Sequence, residues 1–152
     1  MLYGAVKLFG SFANVGGEDG EPLAYRDRIV LGQEMALRAM YYVARAAGGV
    51  NAARATTITK VLWRITDSQF SAERQTALFE ESELAGDGVL TMLRTERTRM
   101  APSFVEIVLG AAAEVARADD AVQANAAAAL HAIAEALGLD DAAVKAALAS
   151  TP

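Results

Sequence analysis

Cysteine is absent from this chain, and histidine and tryptophan occur once each, as His131 and Trp63. Without cysteine there are no disulfides, no thiolate nucleophile and none of the usual structural zinc sites. A single histidine leaves no His–His metal pair. Only three prolines interrupt 152 residues, and β-branched alternation is scarce, so the chain reads as helical. No uncharged apolar run approaches the roughly 18 residues that a membrane span requires. Basic residues are outnumbered, 14 against 19 acidic, giving a net charge of −5. That balance argues against general nucleic-acid binding, which needs a basic surface to neutralise phosphates. The N-terminal stretch has Lys7 as its one basic residue and no apolar region leading to a cleavage site, so a soluble cytoplasmic protein is expected.

What is abundant is alanine within a 53% apolar composition. Alanine favours helix and adds little side-chain burial, so close helix–helix packing is expected rather than an aromatic core. A repeat stands out. Val43-Ala44-Arg45-Ala46 returns as Val115-Ala116-Arg117-Ala118, and the spacing from 43 to 115 sets an offset of 72 positions. At that offset Val50 falls on Val122, Ile58 on Leu130, Val61 on Ile133 and Ile65 on Leu137. Two matched helix–turn–helix units predict a duplicated all-α domain whose halves close over a shared interior.

The organisation follows from periodicity and breakers. Leu2, Val6, Phe9 and Ala13 give a helical stripe up to about Asn14, weakened by Gly4 and Gly10. The glycine-rich, acidic stretch from Val15 to Pro22 reads as a linker, so residues 1–21 form an arm and linker and 22–152 the body. Within the body the spacing predicts helices over about 25–47, 52–65, 71–84, 88–99, 102–118, 122–137 and from Asp140 onward. Ser71 and Asp140 serve as N-cap candidates and Gly48-Gly49, Asp67-Ser68, Gly86 and Gly138 as stops. Seven helices are expected, two of them long and apolar nearly all round, hence central.

The second repeat, Val115-Ala116-Arg117-Ala118-Asp119 followed by Leu130-His131-Ala132-Ile133-Ala134-Glu135-Ala136-Leu137-Gly138-Leu139, resembles the TerB-like family. That family is named for a tellurite-resistance protein and includes a domain of membrane-anchored J-domain co-chaperones. Ala44 to Ile65 resembles the other half, and the likeness covers about Gln33 to Leu148. It implies a compact all-α bundle of two pseudo-symmetric halves. It also implies carboxylates clustered at the turns, linked in the family to divalent-cation binding. Matched position by position, the first half has Ala47 for the turn aspartate, then Asn51, and Arg54 for the helix-start acid. The second half keeps Asp119, has Asp120 where glycine is usual, and Ala126 at the helix start. The implied metal set thus shrinks to Asp119 and Asp120, with Asn51 or Asn125 and backbone carbonyls as helpers, whereas calcium takes about 6–8 oxygens. The plainer reading, and the preferred one, is that Asp119-Asp120 caps the helix beginning near Val122.

No catalytic set emerges around His131, whose expected helix neighbour is Glu135. Glu80, Glu81, Glu83 and Asp87 read as a solvated acidic face, and Arg94, Arg97 and Arg99 as a solvated helix end. Tyr3, Lys7, Phe9 and Phe12 could place the arm on a membrane surface, but docking on the body or on a neighbouring subunit is the better reading. Trp63 would mark a binding surface if exposed. The expectation is a non-enzymatic TerB-like interaction module of a bacterial stress-response or envelope-associated assembly. It would need no cofactor, bind a protein partner and no nucleic acid, touch membranes only peripherally, and could self-associate. The alternative is a weak divalent-cation sensor.

Overall fold

A computed structural model describes residues 24–66 and 71–150. The arm and linker assigned to residues 1–21, and the Asp67-Ser68 break, lie outside the described residues. Among the described residues seven helices follow one another: α1 (Tyr25–Ala46), α2 (Ala52–Thr66), α3 (Ala72–Ala85), α4 (Gly88–Glu96), α5 (Ser103–Ala116), α6 (Ala124–Leu137) and α7 (Asp141–Ala149). The fold is all-α, as the periodicity predicts.

The stops act through identifiable chemistry. Gly48 and Gly49 adopt φ of 114° and 120°, backbone angles that side chains resist, and so end α1. Ser71 accepts a hydrogen bond from the Arg74 N–H at 3.0 Å and Asp140 one from the Ala143 N–H at 3.0 Å, confirming both as N-caps. Three ends differ from expectation by two residues or more, the first being that of α4, which stops at Glu96 rather than at 99. Helix α5 stops at Ala116 and α6 starts only at Ala124, leaving a longer second turn whose residues reach across to the first.

Helices α1 and α5 form the centre and run in the same direction. At one end the Ala101 N–H donates to the Arg28 carbonyl at 3.3 Å, and Phe104 lies against Gly32. A Cβ at Gly32 would sit 2.4 Å from the Phe104 ring, so this approach requires glycine. Along the contact Ala36, Ala39 and Ala44 of α1, and Ala111, Ala112, Ala113 and Ala116 of α5, are all buried. These small side chains bring the two backbones close, as the composition suggests. Larger core residues, among them Leu37, Met40, Val43, Val61, Leu62, Val108, Val115, Leu130 and Ile133, fill the layers around them. Each contributes about 1.5–3 kcal/mol by leaving water.

The packing is two-fold in plan. Helix α1 touches α2 and α6, α5 touches α6 and α2, α3 lies on α1, and α7 lies on α5. Helix α4 spans the halves, against α1, α3 and α6. Repeat-related residues share environments. Val43 and Val115 are both fully buried, as are Ala44 and Ala116, and Val61 and Ile133. The match extends to the surface, where Val50 is 39% and Val122 38% exposed. Among the described residues, no helix is long and apolar enough to cross a membrane.

Candidate functional site

Because α1 and α5 run in the same direction, their C-terminal turns lie side by side. Arg54 enters there from the first turn of α2. It shares a face with Ile58 and Val61, the core face, and its repeat counterpart Ala126 is fully buried. Asn51 opens the helix, its Oδ1 accepting from the Arg54 N–H at 2.8 Å. The Arg54 side chain, 5% exposed, then ties the two turns together. Its Nη1 donates to the Gly49 carbonyl at 2.6 Å and its Nη2 to Asp119 Oδ2 at 2.8 Å. The Gln123 amide completes the knot when its nitrogen faces a carbonyl and its oxygen a donor. It then donates to the Ala47 carbonyl at 3.1 Å and accepts from Arg54 Nη2 at 3.2 Å.

This geometry corrects the cap reading of Asp119-Asp120. The residue before α6 is Gln123, with no side-chain cap bond. Asp119 is committed to Arg54 across the interface between halves, and Asp120 is exposed. Asp119 therefore has a guanidinium against it, supplied by Arg54 from the first turn of α2. An ion seeking Asp119 would have to displace that guanidinium. Asn51 is engaged in capping and Asn125 is exposed on α6.

A second charged cluster, which the sequence reading missed, lies between α1 and α3. Glu34 is fully buried and Arg38 nearly so. Arg74 Nη2 meets Glu34 Oε2 at 2.6 Å and Arg38 Nη2 meets Glu81 Oε1 at 2.8 Å. Burial raises the Glu34 carboxyl above its usual range, with Glu81 adding to the rise and the cations Arg74 and Arg38 opposing it. Nearby, Gln33 Nε2 donates to the Ile65 carbonyl at 2.9 Å, fastening the end of α2 to α1. The available signal was the i, i+4 pair Glu34 and Arg38 inside an apolar helix.

The remaining candidates separate. His131 Nδ1 lies 3.0 Å from Asp141 Oδ1, so its partner is the first residue of α7 rather than Glu135. Both residues are exposed at the rim of an open groove of about 420 Å³ that also involves Val144, Lys145 and Leu148. The acidic run is no uniform solvated face. Glu81 binds Arg38, Asp87 Oδ1 accepts from the Tyr42 hydroxyl at 2.9 Å, and Glu80 is exposed. In the basic run Arg94 is exposed, while Arg99 Nη1 pairs with Glu96 at 3.4 Å and the Arg99 carbonyl accepts from Arg28 Nε. No group of three or more His, Asp or Glu side chains is arranged as a metal site among the described residues.

Trp63 is 60% exposed. It ends a stripe on the outer face of α2 in which Ala52, Thr56, Thr59 and Trp63 succeed one another at steps of four, three and four, all exposed. This stripe is uncharged, with Lys60 beside it and Arg64 held at its edge by Glu114 of α5. Comparison of the chain with protein-family models, with curated proteins and with solved structures gives no match.

Proposed function

We propose that this protein is a non-enzymatic interaction module of the TerB-like type, cytoplasmic, working in a bacterial stress-response or envelope-associated assembly. Its docking surface is the outer face of α2. The observation that carries this reading is Trp63, the chain's single tryptophan, left 60% exposed at the end of an uncharged stripe. A large aromatic side chain in water beside small neutral neighbours has the character of a binding anchor. The partner would present an apolar helix or groove to Trp63 and a carboxylate to Lys60. Affinity purification with the wild-type chain and with Trp63→Ala tests this. A partner retained by the first and lost by the second is expected. Equal recovery of the same proteins by both, or turnover of a substrate by the purified chain, contradicts it.

The rival reading, a divalent-cation sensor at Asp119 and Asp120, has less support because Arg54 already sits on Asp119. Calorimetry with calcium, magnesium and manganese is expected to show no binding heat. Saturable binding that Asp119→Asn abolishes would favour the sensor instead.

A further inference from the structure

We propose that the seam between α2 and α5 seats a helix supplied by a partner protein, as the seam between α6 and α1 seats α4. This rests on the reading of α2 as the docking side and names what docks there. Helix α6 packs against α1, α4, α5 and α7, whereas among the described residues α2 packs against α1 and α5 alone. On the filled side α4 lies against both α6 and α1, with Val89 and Leu93 fully buried. Asp87, just before α4, accepts from Tyr42 of α1. Arg97, just after it, lies over Gly138 at the end of α6, where a Cβ would come within 2.6 Å of Nη1. On the other side, apart from α1, no described helix touches both α2 and α5.

Burial shows which strip of α2 is left open. On α6, Ala129 and Ala136 are buried and Ala132 half-buried. At the repeat offset these positions are Thr57, Arg64 and Lys60 of α2, of which Thr57 is half-buried and the other two exposed. Arg64 reaches Glu114 of α5, so this strip faces the seam. The far wall is open as well. Ile107 of α5 is half-buried, whereas Met35, at the matching position of α1, is buried.

The lining sets the chemistry of the occupant. Half-covered Thr57 and Ile107 call for an apolar stripe, the part that Val89 and Leu93 play for α4. Glu114 neutralises Arg64 and leaves Lys60 without an ion pair among the described residues. A Glu or Asp beside the partner's stripe complements that charge. Trp63, three positions after Lys60, stands at the outer rim of the strip. The chain's own α4 is not available for this role, because its apolar residues are committed to its own seam.

The chain has no cysteine, so Thr57→Cys in the full chain can carry a benzophenone at that position alone. The labelled protein is irradiated in a lysate of its source cell, and the crosslinked segment is sequenced and synthesised as a peptide. The expected segment belongs to another protein, has apolar residues at steps of three and four, and carries Asp or Glu beside them. The peptide should become helical on binding the unlabelled chain, and Lys60→Glu should weaken it by about tenfold or more. Crosslinks confined to residues 1–23 of the same chain, crosslinks to a second copy, or none at all overturn the proposal. So does a peptide that binds Lys60→Glu as well as wild type. A partner lost in Trp63→Ala with no crosslink at position 57 retains the docking reading and rejects the seam. The expected crosslink with recovery unchanged in Trp63→Ala retains the seam and rejects Trp63 as the anchor.

Discussion

Arg54 and Asp119 show how one residue changes the meaning of another. Asp119 alone reads as a ligand or a cap. With a buried guanidinium 2.8 Å away it is half of a bond between the two repeats. Removing one member of a buried pair leaves an uncompensated charge, a loss of about 3–5 kcal/mol. Asp119→Ala is therefore expected to destabilise by about 3 kcal/mol in urea unfolding. Adding Arg54→Met should restore much of that loss, because the orphaned charge goes with it. A loss below about 1 kcal/mol for Asp119→Ala would reduce the contact to a surface pair.

Glu34 makes the second residue-scale prediction. Its folded carboxyl titrates above the ordinary value because burial penalises the charged form. A raised folded pKa means the native state holds the proton more tightly than the unfolded chain. The stability this contributes is fully present below the unfolded carboxylate value and is lost as pH rises through the folded one. Glu34→Gln removes that loss. Relative to the variant, wild type should become progressively less stable as pH rises above the ordinary carboxylate range. Wild type that instead gains stability relative to the variant as pH rises contradicts this account of Glu34.

At the scale of the helix, much was legible. The apolar stripes of α1, α2, α5 and α6, the caps Ser71 and Asp140, and the glycine stops are local patterns, and their positions hold to within a few residues. What escaped was long-range. Arg54 could not be read as buried, because a charge on an apolar face is placed only once the opposite helix is known. Asp119-Asp120 precedes a helix as a cap would, yet the longer turn directs Asp119 sideways. Glu34 and Arg38 were masked by the apolar residues around them, although their i, i+4 spacing was visible. Trp63 could be placed on α2 from sequence, but its exposure could not. Helix α3 carries the prediction at this scale. Among its described side chains it gives Leu78 alone to the fully buried apolar core, with Ala85 packed at its margin, and otherwise rests on ion pairs and an edge-to-face contact of Tyr41 with Phe79, ring centroids 4.8 Å apart. Sparse apolar burial favours local opening. Amide exchange in α3 should be faster than in α1 and α5. Protection in α3 equal to theirs would show that the ion pairs hold it as firmly as apolar packing would.

For the molecule as a whole, the repeat specifies more than similar helices. It places α1 and α5 together at the centre, exchanges α2 and α6 between them, and sets the two turns side by side, where Arg54 joins them. One interior results, with Val43 and Val115 both fully buried in it, and the outer face of α2 is left exposed with Trp63 on it. Small domains with a single core unfold as a unit, whereas separable halves open independently. The decisive measurement is native-state amide exchange at Val43 and Val115 as urea is raised. The two amides should converge on the same opening free energy and the same urea dependence, both set by global unfolding. If one exchanges through a lower-energy opening that leaves the other protected, the halves do not share a core.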